Sequence, residues 1–444
     1  MGNRILIKQA YLITMDDRMG DMAKADILIE NDKIASVGHE IEAADCEIVN
    51  ASNMIALPGF VDTHRHVWEA QIRAIAADWT LGTYMNHVIG HFGANYRPED
   101  VYIGNLLGMA EALDAGITTT LDWSHVMLSP DHAFEAIRAL RHSGSRAVFA
   151  FGTPNFQRLF GIPTAIEDYA AFSRRLKSRY FSTDDQLVTF ALAIPGPEFT
   201  SVEETTSDIT LARELDAYAS MHVGISGPHV QPIKLLQGAN LLGPDLNFVH
   251  GNFLTDEEVK LIAESGGSIS ITPEVEMQMG MGWPATGAAI RNGARYGLGI
   301  DVVAATGGDM FAQMKFALQT ERALSNERKL RNGEAPQQLD LGVRDILRAA
   351  TTGGAQALGL GHKTGSLTPG KDADIILLRA ADVNTAPLNN AVGTVVLCSN
   401  TANVDTVFVA GKMVKRNGSL LHLNMKKLRV QAVESRDYLY AGKG

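Results

Sequence analysis

The chain has 444 residues, 45% apolar and 20% charged, enough to bury a large core and to hold one big domain plus a smaller one. Its formal charge of -11 and isoelectric point near 5.6 disfavour nucleic acid and anionic membranes, which reward clustered Lys and Arg, and leave small molecules as the expected partners. Only Cys46 and Cys398 occur, too few for a disulfide framework or a Cys-based zinc site, and their apolar, β-like surroundings predict buried free thiols.

The opening MGNRILIKQAYLITMD alternates polar and apolar residues like a strand and lacks a continuous apolar signal core. No later run approaches the roughly 20 apolar residues of a spanning helix, so a cytoplasmic protein is expected. Strand-period alternation continues through ADILIENDKIASVG and EIVNASNMIAL, giving a β-rich first segment, residues 1–56. Residues 57–364 alternate short apolar runs with helical-period stretches: TTTLDW, RAVFAFG, QLVTFALAI, YASMHVG, LNFVHGN, GSISIT and YGLGID read as strands, and LTDEEVKLIAESG as a helix. Repeated β-then-α units in about 300 residues fit eight units of a parallel barrel. Residues 365–423 return to short strands and turns in GSLTPGKDADIILL, NAVGTVVLCSN and VDTVFVAGKMVKRNGSLL, with Asn417-Gly418 as a hairpin turn. Residues 424–444 open with NMKKLRVQAVESRDYLY, which reads as a terminal helix. The expected fold is α/β: a (β/α)8 TIM-like barrel with a small β-sandwich domain built from both chain ends.

Chemistry gathers at the strand ends. ALPGFVDTHRHVWEA places His64 and His66 where alternate residues project to one face, so both imidazoles can reach one ion. His222 closes YASMHVG, His250 closes LNFVHGN and Asp301 closes YGLGID. Barrel active sites lie at such ends, and ionisable residues in apolar strands need partners to offset desolvation.

This order of residues resembles the amidohydrolase superfamily, and within it the branch containing cytosine and guanine deaminases and the triazine hydrolases. The resemblance runs over essentially the whole chain, and TGSLTPGKDADIILL is similar to that branch's re-entry into its β-sandwich. It implies that His64, His66, His222 and Asp301 hold a metal, with His250 beside the metal-bound water or the substrate. QLVTFALAIPG has no lysine where binuclear members carry a carboxylated one, so one divalent ion is expected: Zn2+ first, with Fe2+, Mn2+ or Co2+ as alternatives. Asp301 then doubles as the proton carrier of the hydrolytic step, and His250 stabilises developing charge.

The chain also departs from that pattern. Deaminases of the branch keep Glu three residues after the strand-five His, and Ile225 stands there instead. After strand seven, ITPEVEMQMGMGWP supplies Glu274 and Glu276, of which Glu276 is the better replacement acid/base. Trp68 and Trp79 in the segment after strand one, His125 after strand two, Glu198 after strand four and Met281 after strand seven are weaker expected substrate contacts, with core packing as the competing reading.

These readings predict a metal-dependent hydrolase that cleaves a C–N bond of a small cyclic or aromatic nitrogen compound, with deamination leading. The competing enzyme reading is hydrolysis of an amide, carbamate, urea or carbon–halogen bond. A non-catalytic scaffold is disfavoured, because buried ionisable groups cost desolvation energy. The resemblance and the terminal helix imply a homo-oligomer.

Overall fold

The computed structural model describes residues 4–442. Eight parallel strands form one sheet in sequential order: β1 (Phe60–Arg65), β2 (Ile117–Ser124), β3 (Arg146–Gly152), β4 (Val188–Ala193), β5 (Tyr218–Val223), β6 (Leu246–His250), β7 (Ser268–Ile271) and β8 (Arg295–Leu298). The order runs from β8 back to β1, and an Arg65–Asp301 parallel bridge joins its two ends. There the His66 amide donates to Asp301 O and the Asp301 amide to His64 O, each at 2.9 Å. A nearly closed parallel barrel results, with strands that are continuous buried runs because both faces are covered. The helices between strands carry ordinary stop signals. Asp256–Ser265, read in the sequence as a helix, starts at a Thr255–Glu258 capping box and ends at Gly266 with φ of 78°.

Closure depends on the absence of a side chain at Gly299. A Cβ there would lie 2.8 Å from His64 O and 3.0 Å from His64 N, both backbone atoms of the residue the site needs. Gly299→Ala is therefore expected to cost about 1–3 kcal/mol, as overpacking typically does. Urea unfolding checks this, and an unchanged midpoint would contradict it.

By contact the chain divides into two compact units, one of residues 1–62, 111–119 and 309–422, the other of residues 63–110, 120–308 and 423–444. The first contains a mixed nine-stranded sheet built from both chain ends. Met54–Pro58 and Ile375–Arg379 pair antiparallel from Pro58↔Ile375 to Met54↔Arg379, which joins the N-terminal strands to the C-terminal ones. Ile5, Ile7, Ile27, Ile29, Ile375 and Phe408 share one apolar core there. Asn417 and Gly418, with φ of 50° and 74°, make the expected hairpin turn between Lys412–Arg416 and Ser419–Leu420. The terminal helix spans Met425–Ala441, and its Ser435 hydroxyl donates to Asp100 Oδ1 at 2.7 Å.

Two expectations fail. NAVGTVVLCSN is helical over residues 391–398: the Asn390 side chain accepts from the Gly393 amide at 2.8 Å and starts a helical turn, and burial of Val395 and Val396 overrides their strand preference. Cys398 at its end is exposed and Cys46 half-buried, so neither thiol is a core residue.

Candidate active site

His64 and His66 sit at and just beyond the end of β1, His222 near the end of β5 and His250 at the end of β6, while Asp301 follows β8. The strand ends bring all five together. His64 Nε2 lies 3.2 Å and His66 Nε2 3.4 Å from Asp301 Oδ1, and His250 Nε2 lies 3.8 Å from Asp301 Oδ2. The His222 ring centre is 4.9 Å from that of His64 and 5.3 Å from that of His250. All five are buried. His250 and Asp301 hold left-handed φ of 76° and 66°, a conformation costly for a side-chain-bearing residue and concentrated at functional sites.

Electrostatics sort these groups. Burial pushes the imidazoles of His66 and His222 well below the usual histidine range, and neighbouring imidazoles add to the shift. Burial alone would push the Asp301 carboxyl up, yet the surrounding His64, His250 and His66 bring it below its ordinary value. The His66 Nδ1–H donates to Trp123 O at 2.9 Å, which leaves Nε2 as a lone-pair donor facing Asp301. Uncharged imidazoles around one ionised carboxylate suit a divalent ion. The sets His64–His66–Asp301 and His64–His222–His250 each bring ligand atoms within 4.8 Å of one another, so the residues present could hold a metal.

His250 is held differently. Its Nδ1 faces Thr272 Oγ1 at 3.0 Å and Glu276 Oε1 at 3.3 Å, and Glu276 Oε1 also accepts from the Thr272 amide and hydroxyl at 2.9 and 3.1 Å. Burial pushes the His250 imidazole down, but the Glu276 hydrogen bond with the charges of Asp301 and Glu276 outweighs it and raises the group overall. Glu276 is fully buried and does not line the cavity: it reaches the site only through His250.

The cavity above these groups encloses about 390 Å³, its open mouth included. His125 lines it, and burial pushes that imidazole down to about 3. Ile225 lines it too, so an apolar side chain stands three residues after His222. Trp68, Trp79, Glu198 and Met281 do not line it. Trp68 is buried edge-on behind His125 at 5.2 Å, Trp79 packs on His87, and Met281 is buried. The Glu198 carboxylate accepts from the amides of Gly224, Ile225 and Ser226, so it fastens the turn after β5, and Phe199 beside it faces the cavity.

Sequence reading missed Glu69. It is buried three residues after His66, accepts from the Tyr84 hydroxyl, and burial pushes its carboxyl well above the usual range. A carboxylate inside the apolar stretch VWEAQI was the available signal.

Residues 55–414 match the amidohydrolase family. The chain belongs to this family. Its members' chemistry makes it a metal-dependent hydrolase acting on C–N bonds. It is 28% identical over 444 residues to a 5'-deoxyadenosine deaminase of Methanobrevibacter smithii, covering 97% of each chain. Its fold is similar to that of a zinc-bound adenosine deaminase from Xanthomonas campestris, with a TM-score of 0.86, 24% identity and 98% of each chain covered. It is also similar to a zinc-complexed atrazine chlorohydrolase from Arthrobacter aurescens, with a TM-score of 0.88, 20% identity, and 97% of this chain and 100% of that one covered. No helix among the described residues is long and apolar enough to cross a membrane.

Proposed function

We propose that this amidohydrolase deaminates an aminated nitrogen heterocycle, with nucleosides of the 5'-deoxyadenosine type as the first substrates to test. The observation that carries the reading is the convergence of His64, His66, His222 and Asp301, with His250 opposite, at one mouth of the barrel. His64, His66, His222 and Asp301 would hold one divalent ion, zinc being the best match to three imidazoles and a carboxylate. When bound, that ion supplies a water of lowered pKa and a Lewis acid. Asp301 takes a proton from the attacking water and later delivers it to the departing amine, so that the C–N bond breaks as ammonia leaves. His250, whose charged form Glu276 favours, offers a proton to negative charge developing on the attacked centre. A homo-oligomer and a cytoplasmic location remain part of the proposal, the first supported by the exposed Val430, Val433, Tyr438 and Tyr440 of the terminal helix.

The deciding experiment measures ammonia release by the metal-replete enzyme from 5'-deoxyadenosine and a panel of aminated heterocycles. Release supports deamination, and no release across the panel rejects it. Ile225 in the cavity wall favours a second reading, hydrolysis of an amide, carbamate, urea or carbon–halogen bond whose substrate needs no ring protonation. Its products are a larger amine, a carboxylate or halide.

Glu276 acts on this scheme through His250, so Glu276→Gln should lower kcat about 10- to 100-fold, as loss of an outer charged partner does, with metal content retained. The glutamine amide keeps an oxygen for Thr272 but not the charge that favours protonated His250. A near-normal kcat would reject the role.

A further inference from the structure

Beyond the metal set and His250, the polar groups that the cavity offers are acceptors. His125 Nδ1 lies 3.3 Å from Trp123 O, and His66 Nδ1 lies 2.9 Å from the same oxygen. A carbonyl only accepts and has two lone pairs, so both imidazoles carry their proton on Nδ1. His125, which lines the cavity, therefore keeps its lone pair on Nε2. Tyr84, also in the wall, donates its hydroxyl proton to Glu69 Oε1 and keeps only oxygen lone pairs for a ligand. The remaining wall, Leu81, Met85, Ile89, Phe156, Phe199 and Ile225, brings no polar side chain, and among the described residues no Lys or Arg lines the cavity.

His125 is also tightly packed. Its ring meets Phe156 at 4.9 Å and Trp68 at 5.2 Å, both edge-on. Below it Gly152 lets β3 approach: a Cβ there would lie 2.6 Å from Ser124 O and 2.7 Å from His125 Cα. A fixed, desolvated acceptor discriminates strongly, because a ligand without a matching donor leaves it unpaired.

We propose that His125 is the specificity-determining residue of this site, its Nε2 accepting an N–H of the bound heterocycle, with Tyr84 Oη as a second acceptor. The site then prefers nitrogen heterocycles that carry an N–H donor over rings of the same size that carry only acceptors. This rests on the cavity being the reaction site of the proposed hydrolase.

The test compares two probes of one ring and similar size, aminopyrazine and methoxypyrazine, by calorimetric binding to the metal-loaded protein and to its His125→Phe variant. On the wild type, aminopyrazine should bind at least about tenfold tighter than methoxypyrazine, and in His125→Phe that advantage should fall close to one. Equal or tighter binding of methoxypyrazine, no binding of aminopyrazine, or an advantage that survives in a folded His125→Phe would overturn the proposal. The wild-type ratio decides it even if the variant does not fold. Ammonia release without donor preference sinks this proposal alone, whereas donor preference without hydrolysis sinks the deaminase reading alone.

Discussion

Asp301→Asn lowers turnover by about a hundred- to ten-thousandfold and leaves the Michaelis constant nearly unchanged, the range expected when a general acid/base is lost. The carboxylate sits 3.2 Å from His64 and 3.4 Å from His66, and these imidazoles hold it in the ionised form that a base requires. Asparagine still offers an oxygen to an ion, but an amide is a very poor base near neutral pH. The backbone does not object, since residue 301 has φ of 66° and Asn is among the side chains that tolerate the left-handed region. Steady-state kinetics with elemental analysis of the same sample checks the prediction, and an effect confined to the Michaelis constant contradicts it.

His66→Ala removes metal and activity together, and His222→Ala does the same. The His66 ring is aimed by its bond to Trp123 O, so Nε2 is presented in place and truncation removes that ligand atom. Loss of a direct ligand should weaken metal binding by more than the roughly 10- to 100-fold that follows loss of an outer partner. Dialysed variants should therefore lack the ion, show no hydrolysis, and lose the ion's contribution to thermal stability. Retained metal with retained turnover would reject the assignment.

The five convergent residues were legible because strand alternation and strand-end position are properties of local sequence. His64 and His66 share a face by spacing alone, and His222, His250 and Asp301 each close an apolar run. Placement of the glutamates was not legible, because it depends on the course of loops. Glu276 turns inward beneath His250 in the short helix Pro273–Gln278, where its carboxylate takes the Thr272 amide. Glu198 lies one residue from cavity-lining Phe199, and nothing in GPEFTS says which of the two faces inward. Trp68 lies behind His125 rather than beside a ligand, and the Tyr84–Glu69 pair is bridged across fifteen residues that sequence period does not relate. At the other end of the chain, a β-branched run became helical because a cap and burial outweighed strand preference.

One divalent ion held by His64, His66, His222 and Asp301 is proposed to make this chain a deaminase. The most direct test strips the protein with a chelator, restores Zn2+ in sub-stoichiometric steps and follows ammonia release from 5'-deoxyadenosine and related aminated heterocycles. The account predicts activity that rises in proportion to added ion and levels off at one per chain. A plateau at two ions, or full ammonia release by the stripped protein, would contradict it.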